Sequence, residues 1–147
     1  MRARSRARKR AIDLLYEADT RALNRSNGEQ PAHLDEIILE VLRERLEYPG
    51  HEVALPQYAV TLAEGVSAEL GQIDEHLTTY SHGWTLPRMP VVDRAILRLG
   101  AWEILFSDEI PDAVAIDEAV AMATKLSTDE SPAFINGLLA RIMEMKP

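Results

Sequence analysis

Apolar residues recur along this chain three and four positions apart and nowhere alternate with polar ones for long, a periodicity that belongs to amphipathic helices rather than strands. The first helix is predicted to start within a basic tip and run to about Leu23, burying Ala11, Leu14, Leu15, Ala18 and Ala22. A break over Asn24–Pro31, with Asn27-Gly28 as its turn signal, precedes a second helix from about Leu34 to Glu47. That helix places Leu34, Ile37, Ile38, Val41 and Leu42 on one face, and Tyr48-Pro49-Gly50 ends it. Pro56–Ser81 continues the pattern through Val60, Ala63, Val66, Leu70, Ile73 and Leu77, with Gly65 and Gly71 as points of bending or splitting.

Val91–Phe106 is different. Val92, Ala95, Ile96, Leu99 and Trp102 lie on one side, and Leu97, Ala101 and Ile104 on the other. A helix that is apolar all round is a buried one, so this segment is predicted to be the central helix, entered through Pro90. Two amphipathic helices follow. One spans about Asp112 to Leu126. The other starts either after the capping pattern Ser127-Thr128-Asp129-Glu130 or at Ser131 with Pro132 in its first turn. The expectation is an all-α fold of six or seven helices: a basic arm over residues 1–10, then a single helical domain over residues 11–147.

Composition narrows the chemistry. With 147 residues and 46% hydrophobic content the chain can bury one core. The absence of cysteine excludes disulfides, thiolate metal sites and cysteine nucleophiles, and makes a reducing compartment, the cytoplasm, the expected location. The longest apolar run is five residues, Ala119–Ala123, against the roughly 20 of a membrane span, so neither membrane insertion nor secretion is expected.

Charge is divided unevenly. Residues 1–10 hold six of the sixteen cations (Arg2, Arg4, Arg6, Arg8, Lys9, Arg10) and no acid, while the rest of the chain carries all twenty-four acids. A basic tip on an acidic body suits a nucleic-acid arm, because cations that neutralise phosphates release condensed counterions. A solvated terminus is the other explanation of the same pattern.

Catalytic motifs are missing: there is no H-E-x-x-H, G-x-S-x-G, Gly-rich phosphate loop or G-x-G-x-x-G. His76 and His82 are six residues apart, which a helix does not place on one face, and adjacent carboxylates such as Asp117-Glu118 point apart. No enzyme activity, metal or cofactor is expected. Tyr16 and Leu23 project off the apolar stripe of the first helix, where they either meet a partner or serve a second packed neighbour. Phe134, at the edge of the stripe Ile135, Leu138, Leu139 and Ile142, either stacks a base or closes the core margin. Gly137, inside a helix, suggests close approach of another backbone.

Taken together, four blocks resemble the NusB family of bacterial transcription antitermination factors: Ala7-Arg8 with Ala11-Ile12-Asp13-Leu14-Leu15-Tyr16; Trp84, Arg88 and Val92-Asp93-Arg94-Ala95-Ile96-Leu97-Arg98 with Glu103-Ile104-Leu105; Ala115–Val120; and Phe134-Ile135-Asn136-Gly137-Leu138-Leu139. Asn24–Leu55 alone is without a recognisable motif. The resemblance implies two small bundles around a shared long helix. It also implies a non-enzymatic factor that binds boxA RNA of ribosomal operon transcripts with NusE, a small-subunit ribosomal protein, and joins a termination-resistant RNA polymerase complex. Some relatives form homodimers.

By the same resemblance the RNA contacts fall on Arg4, Arg6, Arg8, Lys9 and Arg10, with Phe134 as the stacking residue and Tyr80 and Arg88 as further candidates. Tyr16 and Asp93 match positions that face NusE. Lys9 stands where many relatives have Glu, which strengthens general attraction for phosphate. Five cations on single-stranded phosphates would give a salt slope of about −3.5 in log K, and deletion of residues 1–10 is expected to leave helicity intact. Three other readings compete. The fold also resembles the RNA-binding domain of certain ribosomal RNA cytosine methyltransferases, although this sequence ends before any cofactor-binding region. The remaining two are a helical protein-interaction module with a basic arm and a hydrolase built on acidic residues.

Overall fold

The computed structural model describes residues 2–26, 33–48 and 53–147. The turn signals at Asn27-Gly28 and Pro49-Gly50 lie outside the described residues. Among these residues there are seven α-helices and no strand: α1 Ala3–Arg25, α2 Leu34–Glu47, α3 Gln57–Ala68, α4 Leu70–Tyr80, α5 Val91–Phe106, α6 Asp112–Leu126 and α7 Ser131–Met145, with a 3₁₀ turn at Leu86–Arg88. None is long and apolar enough to cross a membrane.

The chain divides into two compact units, Met1–Ala68 and Glu69–Pro147, in keeping with the two small bundles that the resemblance implies. The division falls inside the stretch Pro56–Ser81, at neither of its glycines. Glu69 leaves helical geometry at φ −113° and ψ 18°, and its carbonyl then accepts the Ile73 N–H at 2.9 Å to start α4.

In the first unit α1, α2 and α3 each pack on the other two. The predicted stripe of α2 is buried as a set, and α1 buries Ala11, Leu14, Leu15, Ala18 and Ala22. The basic segment is not a separate arm. Helix α1 begins at Ala3, so residues 3–10 are its first turns, and Ser5, Ala7 and Arg8 within them are buried.

In the second unit α5 contacts α4, α6 and α7. Its burial extends all round, as the pattern predicts, but the buried set includes Asp93, Arg94, Arg98 and Glu103 beside the apolar residues. Close approach between helices occurs at Gly100, where an added Cβ would lie 2.8 Å from Leu139 Cδ1. The backbone contact expected at Gly137 is absent, since a Cβ there would meet only Arg141 Nη1 at 3.4 Å.

Candidate nucleic-acid interface

The cations of α1 are sorted by the helix that carries them. At 100° per residue, Arg4 and Arg8 lie one above the other, and both meet Tyr58 of α3. The Arg4 guanidinium carbon is 4.3 Å from the ring centroid and that of Arg8 is 5.7 Å away. Arg4 and Arg6 remain exposed. Arg8 does not: at 3% exposure it is part of the packing between α1 and α3, which corrects its expected place among the phosphate contacts. Lys9 Nζ bonds both oxygens of Asp13 at 2.9 and 3.0 Å along the same helix, and Arg10 Nη2 donates to the Val53 carbonyl at 3.0 Å. Removing residues 1–10 would strip Ala7, 1% exposed, and Arg8 from the core, so that deletion is not the harmless change a loose arm would allow.

In the second unit the aromatic candidates sit around the entry to α5. Phe134 is half-buried and meets Trp84 edge to face, with ring centroids 5.0 Å apart and planes at 65°. Trp84 is held by a turn in which Ser81 Oγ donates to the Trp84 carbonyl and Gly83 adopts φ +101°, a conformation that favours glycine. Tyr80, half-buried, closes α4, and its carbonyl accepts Arg141 Nε at 2.8 Å. Arg88 is exposed at the end of the 3₁₀ turn. Buried Arg94 braces that turn, with Nη1 donating to the carbonyls of Pro87 and Met89 at 3.2 Å.

The two residues matched to a protein partner separate. Tyr16 is 46% exposed, although α1 packs on two neighbours and Leu23 is half-buried between exposure and core. It borders a groove of about 570 Å³ with Thr20, Arg21, Asn24 and Arg45. Beside it Arg21 binds Glu17, Glu40 and Glu44 at 2.8 to 3.1 Å. Hydrogen bonds from Arg21 are the main reason that the carboxyls of Glu40 and Glu44 titrate below the ordinary glutamate range, while Arg21 itself is pushed up chiefly by Glu44.

Asp93, in contrast, is 0% exposed and presents nothing to a partner. Its carboxylate accepts from Ser127 Oγ and, at 2.7 Å, from Ser131 Oγ. This also decides how α7 starts. The helix begins at Ser131, its N-cap Glu130 makes no side-chain cap, and of the hydroxyls in the predicted capping pattern that of Ser127 bonds Asp93 while that of Thr128 lies 2.9 Å from Ser131 Oγ.

Among the described residues no group of three histidine or acidic side chains is placed to hold a metal. His76 Nδ1 is within 2.8 Å of the Gln72 carbonyl and its ring is 6.2 Å from Tyr80. Tyr58 is the contact that periodicity misses, because it stands at the margin of the α3 stripe, one residue before fully buried Ala59, and its partners lie some fifty positions away.

A family model described as the NusB family matches residues 5–144. The transcription antitermination protein NusB of Beutenbergia cavernae is 54% identical over 147 residues, covering all of this chain and 93% of its own length. Among solved structures, T. maritima NusB is similar with a TM-score of 0.74 at 31% identity, covering 99% of this chain and 94% of that one. The NusB of a crystal structure of antitermination factors NusB and NusE in complex with dsRNA is similar with a TM-score of 0.71 at 26% identity, covering 98% of each chain.

Proposed function

The chain belongs to the NusB family of transcription antitermination proteins and is, like that family, no enzyme; from this premise we propose that it binds boxA RNA of ribosomal operon transcripts together with NusE. In this role it helps assemble a termination-resistant RNA polymerase complex in the cytoplasm. The observation that carries the RNA assignment is the start of α1, where exposed Arg4 and Arg6 stand on a helical frame while the chain beyond residue 10 is strongly acidic.

Phosphate contacts are assigned to Arg4, Arg6, Lys9 and Arg10, and base stacking in the second unit to Phe134, with Tyr80 and Arg88 beside it. Arg8 and Asp93 are left out because both are buried. Tyr16 and its groove are assigned to NusE; an exposed phenol ringed by charged groups of both signs offers apolar area and hydrogen bonds to the same partner.

The test is a titration of short boxA-like RNA and a scrambled control, with and without NusE, at several salt concentrations. BoxA should bind more tightly than the control, more so with NusE, and log K should fall with log salt at a slope of about −3 for four phosphate contacts. Arg4→Gln with Arg6→Gln should flatten that slope by about 1.4. Equal binding of both RNAs would make the protein a general polyanion binder. Absence of RNA binding even with NusE would leave a helical interaction module with a basic terminus. Tyr16→Ala should weaken NusE binding at unchanged thermal stability; loss of both together would assign Tyr16 to packing.

A further inference from the structure

The start of α1 is an electrostatic conflict. A helix N-terminus carries about half a positive charge from its aligned peptide dipoles, so acids belong there and cations do not. Here the first turn has no acid, its N-cap Arg2 makes no side-chain cap, and Arg4, Arg6, Arg8, Lys9 and Arg10 follow. The pairs Arg4/Arg8 and Arg6/Arg10 are like charges one turn apart, which disfavours an isolated helix further. Residues 3–10 are nevertheless helical, so other contacts, among them the Lys9–Asp13 ion pair along α1 and the approach of Arg4 and Arg8 to Tyr58 of α3, offset the repulsion.

We propose that Tyr58 is a positioning residue for RNA binding: its ring holds the first turns of α1 in helical form and sets the Arg4 guanidinium in the orientation that grips a phosphate. The proposal rests on the RNA reading of this helix given above. Arg4 and Arg8 are both within the roughly 6 Å over which an aromatic face attracts a cation, and their spacing of four residues is what lets one ring serve both. Stacking engages the flat face of a guanidinium, whereas its N–H donors lie in its plane, so a stacked arginine still offers its edge to a phosphate. An arriving phosphate also meets the positive end of the α1 dipole, which favours an anion there. RNA thus meets a helix already formed, without the entropy loss of ordering a flexible tail.

Tyr58→Phe and Tyr58→Leu separate the ring from its bulk. Three measurements apply: affinity for boxA-like RNA at fixed salt, amide hydrogen exchange of residues 3–10, and thermal stability. Tyr58→Phe should bind within about twofold of the unsubstituted protein, and Tyr58→Leu about five- to tenfold more weakly, with faster exchange confined to the start of α1. A Leu variant that stays folded and keeps RNA affinity and exchange unchanged overturns the proposal, as do equal losses in Phe and Leu, which would place the effect in the hydroxyl. Should the Leu variant unfold, Arg4→Lys decides. It keeps the charge and loses the stacked plane, so a roughly threefold weakening at constant salt slope supports the ring's role and full affinity overturns it. No RNA binding by the unsubstituted protein would be a different failure, that of the RNA reading itself.

Discussion

In the first unit a network of ion pairs lies outside, where Arg21 joins Glu17, Glu40 and Glu44 across α1 and α2 and Arg45 meets Glu17 at 3.3 Å. In the second, Asp93 is wholly enclosed among serine hydroxyls, and Arg98 bonds Asp74 at 2.9 Å with only 7% of its side chain exposed. The same residue types thus do different work. Water screens an outer pair and supplies partners when one member is removed, so the pair organises a surface more than it stabilises a fold. A buried carboxylate or guanidinium has no such substitute, and losing its partner leaves a polar group stranded.

The sharpest way to break this contrast is Asp93→Ala. It strands the Ser127 and Ser131 hydroxyls at the start of α7 and should cost about 3 kcal/mol in urea unfolding. A loss below ~1 kcal/mol would show that the enclosed network is no stronger than a surface one. Asp74→Ala comes next, at about 2 kcal/mol, because Arg98 stays buried. Arg21→Ala should move the melting temperature by no more than about 3 °C at neutral pH. Acid provides the matching test. With the Glu40 and Glu44 carboxyls held low in the folded state, the stability they lend is complete above the ordinary glutamate value near 4.3 and is withdrawn as pH falls through their folded values. Arg21→Ala should therefore flatten the acid limb of a stability–pH profile. The smallest effect is a gain: Gly137→Ala meets only Arg141 Nη1 and should stabilise α7 by about 0.5–1 kcal/mol, whereas Gly100→Ala, which displaces Leu139, should gain less or lose.

The helices were legible from periodicity because each buries a face that its own sequence marks. Leu34–Glu47, Val91–Phe106 and Asp112–Leu126 keep their predicted bounds, and the stripe of α2 is buried residue for residue. The four family blocks were equally visible, being local strings. Less was visible in the candidate sites. Tyr16 is exposed as its helical position suggests, and Arg4 and Arg6 are exposed as well, but Arg8 lies on the same cationic run and is buried, with its guanidinium against Tyr58 of α3.

Local sequence therefore determined which segments are helical, where most of them stop, and which apolar residues enter a core, because backbone propensity and side-chain periodicity act within a few residues. Tertiary structure alone decided which charged groups went inside, that Ser127 and Ser131 serve Asp93 rather than cap their own helix, and that Tyr58 stands beneath two arginines. The physical reason is that a buried charge or a stacked cation is stabilised by a specific partner at a few ångströms, and that partner comes from a segment tens of residues away whose approach no local pattern encodes.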